Sequence, residues 1–191
     1  MLYLIIITCS MIVIAAINTL LFPFPTATEI GRIALSTLLG TVSVIAWDGI
    51  LALLIRRCPL WSGCFAPESS AFHVSKQERN FYRRIGIQSW KDSIPELGLF
   101  TGFSKSEFTN PKDPAYLAKF LTESHYGVVI HLANALFGFL IILLPWCSQP
   151  TIAIPIALVN MILSLLPVAV LRFNTAPLLG IYLKRLVRDA K

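Results

Sequence analysis

The chain has 191 residues, of which 55% are hydrophobic and 14% charged, and its mean hydropathy is +0.71. That is too apolar for an ordinary soluble domain. The net charge of +6 comes from basic residues that hug the borders of apolar runs and form no domain of their own, which argues against nucleic acid as a partner.

A membrane-crossing helix needs about 20 predominantly apolar residues to span roughly 30 Å of hydrocarbon. Four segments meet or approach this length, at about 2–21, 33–55, 126–144 and 151–171. The first is uncharged and stops at Phe22-Pro23-Phe24-Pro25. It lacks the basic leader and small-residue cleavage site of a signal peptide, so a retained span is the preferred reading. The second is apolar apart from Asp48 and is closed by Arg56-Arg57.

A polar insertion, 56–125, follows. Lys76 to Arg84 contains no Gly or Pro and reads as a short interfacial helix, with Phe81, Tyr82 and Ile85 toward lipid and the basic residues toward water and headgroups. Gly98 to Pro114 is punctuated by glycine and proline and is expected to be irregular. Asp113-Pro114 has the form of an N-cap followed by proline in the first turn. The helix it starts carries Tyr116, Leu117, Phe120 and Leu121 on its apolar side and can run unbroken into the third span. That span ends at Pro145-Trp146, and the fourth at Arg172.

Of the 16 Lys and Arg, ten lie between Arg56 and Lys119 and five from Arg172 onward; only Arg32 lies near the first short connection. The positive-inside rule therefore puts the long loop and both termini in the cytoplasm. The expected fold is an all-α polytopic membrane protein: one membrane domain, 1–191, with four transmembrane helices and a cytoplasmic loop, 56–125, carrying an interfacial helix. The cysteines Cys9, Cys58, Cys64 and Cys147 are scattered, with no zinc-like spacing.

In or beside a bilayer each polar side chain needs a partner or a function. On a continuous helix Glu123, Gly127, His131, Asn134 and Gly138 fall within one sector of about 80°, whereas His125 lies on a different side. For Asn134 and Gly138 helix packing and a functional role are both open. Glu123, His125 and His131 suit proton transfer near neutral pH. Asp48 reads as a structural hydrogen-bonding group, with His131 as one candidate partner, or as a site residue. His73 reads as a surface histidine. Arg172 and Asn174 stand where the fourth span meets the cytoplasm; Arg172 reads equally as a membrane-border anchor and as a group that holds a phosphate or an oxyanion.

The block Phe81-Tyr82-Arg83-Arg84-Ile85-Gly86-Ile87, followed by Trp90-Lys91-Asp92 and Pro95, resembles the signature of the glycosyl-4,4'-diaponeurosporenoate acyltransferase family. Glu123 and His125 at the start of the third span, Asn160 before Leu166-Pro167, and Arg172-Phe173-Asn174 are further points of similarity. The likeness runs over roughly 76–185 and departs at Thr175-Ala176-Pro177, where more basic residues are expected. The family comprises small bacterial membrane proteins named for adding a fatty acyl group to a carotenoid glucoside.

This resemblance implies an acyltransferase of carotenoid biosynthesis in the bacterial cell membrane. It implies a cytosolic acyl-thioester donor as co-substrate and a membrane lipid acceptor, with no cofactor and no metal. In that reading His125 is the general base, Glu123 orients or charges it, and His131 is the second candidate base. Trp90, Lys91, Asp92, Arg84, Arg172, Asn174 and Asp48 are the expected substrate-binding residues. The chain has no His-x4-Asp motif, since Glu78 stands five positions after His73, and no Gly-x-Ser-x-Gly elbow, so direct transfer is favoured over a serine intermediate. The alternative is a non-enzymatic membrane subunit that binds lipid or a partner protein.

Overall fold

The computed structural model describes residues 2–58, 63–94 and 113–189. Six α-helices follow one another: α1 Leu2–Leu20, α2 Ala27–Arg57, α3 Lys76–Arg84, α4 Ile87–Trp90, α5 Pro114–Phe137 and α6 Pro150–Asp189, with 3-10 turns between them and no strand among the described residues. Helices α1, α2, α5 (with the 3-10 segment after it) and α6 are long and apolar enough to cross a membrane. The expected all-α fold with four candidate spans is therefore the observed one. Most of the Gly98–Pro114 segment lies outside the described residues.

The bounds differ instructively. α2 starts at Ala27 rather than near 33, because Thr26 and Glu29 form a reciprocal cap: the Glu29 carboxylate accepts from the Thr26 backbone and hydroxyl, both at 2.8 Å. α5 starts at Pro114 as its cap predicts, with Asp113 Oδ1 accepting from Ala115 N at 2.9 Å. α6 does not stop at Arg172 but continues to Asp189, 40 residues or about 60 Å. Arg172 marks a change in polarity, and polarity alone does not end a helix.

The chain forms two compact units. The first comprises residues 1–54 and 130–165. Its core holds Ile14, Ile33, Val44, Ile141, Cys147 and Ile156. Gly40 is required there by close approach, since a Cβ would lie 2.6 Å from the Cys147 sulfur. Trp146 ties the turn after the third span to α2 through Nε1–H to Ser43 Oγ at 3.0 Å.

Two prolines of α6, Pro155 inside this unit and Pro167 just beyond it, leave carbonyls that this unit satisfies. Pro155 and Pro167 lack the N–H that would bond the carbonyl four residues earlier. Those carbonyls belong to Thr151 and Leu163, and both are satisfied from α1. Asn18 Nδ2 donates to Thr151 O at 3.0 Å, and the Tyr3 hydroxyl donates to Leu163 O at 3.1 Å. An unsatisfied backbone group in hydrocarbon costs several kcal/mol, so these two bonds make the prolines tolerable.

The second unit comprises residues 55–129 and 166–191. α3 is capped by Ser75, whose hydroxyl accepts from Glu78 N at 3.1 Å. It ends at Gly86, whose φ of 63° is a left-handed conformation that favours glycine. α4 then folds back over fully buried Ile87. Leu117 and Leu121 of α5 pack with Tyr182 of α6, and Val128 packs with Val168 and Leu171.

Candidate functional site

The second unit gathers most of the residues expected to carry function. His125 lies on α5, 3% exposed, with Nδ1 at 3.3 Å from the Phe65 carbonyl oxygen. A carbonyl oxygen only accepts, so Nδ1 carries the proton in this bond and Nε2 keeps its lone pair. Phe72 stacks on the imidazole, with centroids 4.0 Å apart and planes within 8°. Phe65 stacks in turn on Tyr126 at 3.9 Å. The 63–72 segment thus supplies both the partner of the histidine and its cover.

Glu123 does not reach His125. Its carboxylate accepts from both Nη1 and Nη2 of Arg56 at 3.0 Å, and that guanidinium lies 5.6 Å from the centre of the Tyr126 ring. The helical periodicity already put the two residues on different sides of α5, and the structure gives each its own partner. His131 belongs to the first unit, half-buried.

Arg172 on α6 is held by three hydrogen bonds. Its Nε donates to Glu78 Oε1, and its Nη2 donates to Glu78 Oε2 at 2.8 Å and to the His73 carbonyl at 3.2 Å. Tyr82 donates its hydroxyl to Glu78 Oε1 at 2.6 Å. The Arg172 guanidinium bonded to Glu78 holds that carboxyl below its ordinary value. Burial first, and the Glu78 carboxylate second, push the Tyr82 phenol up to about 12, so Tyr82 remains a donor at neutral pH. Tyr82 is therefore 6% exposed rather than turned to lipid, while Phe81 and Ile85 of the same helix are exposed as expected.

Glu78, Tyr82, Phe65, Phe72 and Arg56 were not picked out as site residues by sequence reasoning. The only local signals were Ser75-x-x-Glu78, which reads as a capping box, and the spacing of Glu78 from His73. The carboxylate serves Arg172 and Tyr82 in addition to the Ser75 backbone of the cap.

The aromatic and basic block has a clear local role. Trp90 Nε1 donates to the Ile85 carbonyl at 3.1 Å and closes the corner between α3 and α4. Lys91 and Asp92 form a loose pair at 3.8 Å, with Asp92 almost fully in solvent. Arg84 is exposed, and Asn174 is half-buried on α6.

In the first unit Asp48 finds Asn160 as its partner: Asn160 Nδ2 donates to Asp48 Oδ1 at 3.3 Å and to the Asn134 carbonyl at 3.2 Å. Gly138 is the small residue that admits this amide, since a Cβ there would lie 2.8 Å from Asn160 Nδ2. Among the described residues no group of three His, Cys, Asp or Glu side chains converges as metal ligands would.

These features define a polytopic helical membrane protein with a histidine and a braced arginine in one polar unit. A family model described as glycosyl-4,4'-diaponeurosporenoate acyltransferase matches residues 67–181, more than half of the chain, and the protein belongs to that family. No curated protein and no solved structure matches it.

Proposed function

We propose that the protein is a membrane acyltransferase that moves a fatty acyl group from a cytosolic thioester donor to a hydroxyl of a membrane glycolipid. A glycosylated isoprenoid is the acceptor class that the family name supports. The observation that carries this reading is the family match, which takes in His125, Arg172 and the Phe81–Asp92 block together. The protein works as a multi-pass protein of the bacterial cell membrane with both termini cytoplasmic, where the basic residues meet a soluble donor. The acyl thioester is a co-substrate, and no further cofactor is assigned.

His125 acts through Nε2, the nitrogen left free by the Phe65 bond. It takes the proton of the acceptor hydroxyl as that oxygen attacks the thioester carbonyl carbon. The tetrahedral adduct then collapses: the carbon–sulfur bond breaks, the ester is formed, and the imidazolium returns the proton to the departing thiolate. Phe72 covers one face of the imidazole and leaves the in-plane lone pair of Nε2 unblocked from that side. The burial of His125 keeps water away from the base.

Arg172 faces the donor, and Arg84, Lys91 and Asn174 are the further polar residues assigned to substrate binding. Glu123 acts through Arg56, fixing the end of α2 against α5, rather than through His125. The alternative of a non-enzymatic subunit drew its support from the polar stripe of the third span. Asn134 and Gly138 of that stripe are engaged by Asn160 within the same unit.

The test is direct. Purified protein in micelles is mixed with an acyl thioester and a panel of glycolipid acceptors, and released thiol is followed. Acceptor-dependent thiol release with formation of the acylated lipid is expected; silence across the panel overturns the enzyme reading.

A further inference from the structure

Arginine has five N–H donors in a fixed plane. In Arg172 three of them are committed, Nε–H and one Nη2–H to the two oxygens of Glu78 and the other Nη2–H to the His73 carbonyl. The two hydrogens on Nη1 have no partner among the described residues. Two consequences follow. The guanidinium cannot swing, because it is held along one whole edge and at a corner. Its charge is also met at contact distance by a carboxylate, so the pair offers a phosphate dianion no net attraction and brings a carboxylate close to it. A neutral carbonyl oxygen that gains charge during reaction is the better ligand for what remains, an N–H of Nη1 held in a fixed direction.

The side-on salt bridge is itself braced. Tyr82 donates to the same Glu78 oxygen that Arg172 Nε uses, so the carboxylate is fixed from α3, one turn away, while Ser75 fixes the start of that helix. The His73 carbonyl that takes the third donor is the neighbour of Phe72, the ring that stacks on His125. The base and Arg172 are thereby connected through two adjacent residues of one segment.

We infer that Glu78 is a positioning residue that holds Arg172 so that one Nη1–H donates to the thioester carbonyl oxygen, and that Arg172 is not the site of the donor's phosphates. This rests on the acyl-transfer reading above. In the chemical step this N–H stabilises the charge that appears on the carbonyl oxygen when the acceptor oxygen adds. It gives up that interaction when the carbon–sulfur bond breaks, with no proton exchanged.

Two donors separate the roles: an acyl thioester of a phosphorylated nucleotide carrier, and the same acyl chain on a short thiol without phosphate. Full-length protein in micelles is assayed for thiol release with both. For Arg172→Gln, kcat is expected to fall about 100-fold with both donors at nearly unchanged KM. For Glu78→Gln the expected fall is about tenfold, again with both donors and in kcat. An R172Q defect confined to the KM of the phosphate-bearing donor overturns the inference, as does a Glu78→Gln variant with wild-type kcat. Where Glu78→Gln does not fold, Glu78→Asp keeps the charge and shortens the reach. A reduced kcat at unchanged KM in that variant supports the assignment, and wild-type kinetics overturn it. A wild-type protein silent toward both donors overturns the acyltransferase reading itself and this assignment with it, whereas an active wild type with unaffected variants overturns only the assignment.

Discussion

The two units use polar residues in opposite ways. In the first, polar side chains mainly repair the backbone: Asn18, Tyr3, Thr37 and Thr41 all donate to main-chain carbonyls, and Asp48 is met by an amide. In the second, charges meet charges, as in Arg56–Glu123 and Arg172–Glu78, and rings stack on a histidine. Hydrocarbon penalises an isolated charge by about 2.5–3.5 kcal/mol on insertion scales, so a span carries neutral donors where it can. Groups that can change protonation or bind an anionic intermediate collect where water is within reach. On the proposed reading, chemistry belongs to the second unit, while Asp48 has Asn160 as a structural partner in the first.

The comparison can be broken most sharply at the histidines. His125→Ala is expected to lower acyl transfer about 1,000-fold while helix content and micelle insertion stay unchanged. His131→Ala, in the first unit, is expected to leave most of the activity. An inactive H131A beside an active H125A in the thiol-release assay reverses the assignment of chemistry to the second unit.

Next in size is a packing effect in the first unit. Gly138→Ala places a methyl group 2.8 Å from the Asn160 amide. It should destabilise the protein by about 1–3 kcal/mol, read as an earlier thermal unfolding transition in micelles. A neutral outcome would show that Asn160 is not fixed between Asp48 and Asn134.

Smaller again is the pH response of the second unit. The Glu78 carboxyl titrates below its ordinary 4.5 because Arg172 holds it. Its stabilisation is therefore present above about pH 4.5 and is lost as pH falls through the lowered value. For a partly exposed pair the amount is at most about 1 kcal/mol. The measurement is the acid limb of unfolding for wild type against Glu78→Gln, which should lack that part of the slope.

The smallest effect is a pairwise one. Tyr3→Phe should cost about 0.6 kcal/mol in the wild-type background and nothing beside Pro167→Ala, since the restored N–H then takes the Leu163 carbonyl. Equal costs in both backgrounds would mean that Tyr3 does not answer the proline.

Much of this architecture could be read from local chemistry. The start of α5 follows from Asp113-Pro114, the extent of α3 from Lys76–Arg84, and the crowding at Gly138 from a small residue on a polar stripe. What escaped were pairings across the chain. Glu78 and Arg172 stand 94 positions apart, and Glu123 has Arg56 rather than its near neighbour His125 as partner. Tyr82 has the position of a lipid-facing ring, yet it is buried because a carboxylate one turn earlier gives its hydroxyl a partner. The fourth span reads as ending at Arg172, where apolar sequence stops; the helix itself continues to Asp189, because helix formation does not require that apolarity.

The proline carbonyls of α6 also bear on the order in which the protein is assembled. Their partners are separated from them by 133 and 160 positions, and the donors are made first. Asn18 can satisfy one amide hydrogen on the Ile14 carbonyl of its own helix, at 2.9 Å, but the other waits for Thr151. The first helix must therefore reside in the bilayer with its Thr151 and Leu163 partners missing until the last helix is synthesised and inserted. Closure of the first unit is a late event, and a chain cut short after the third span would hold α1 without either of these two bonds.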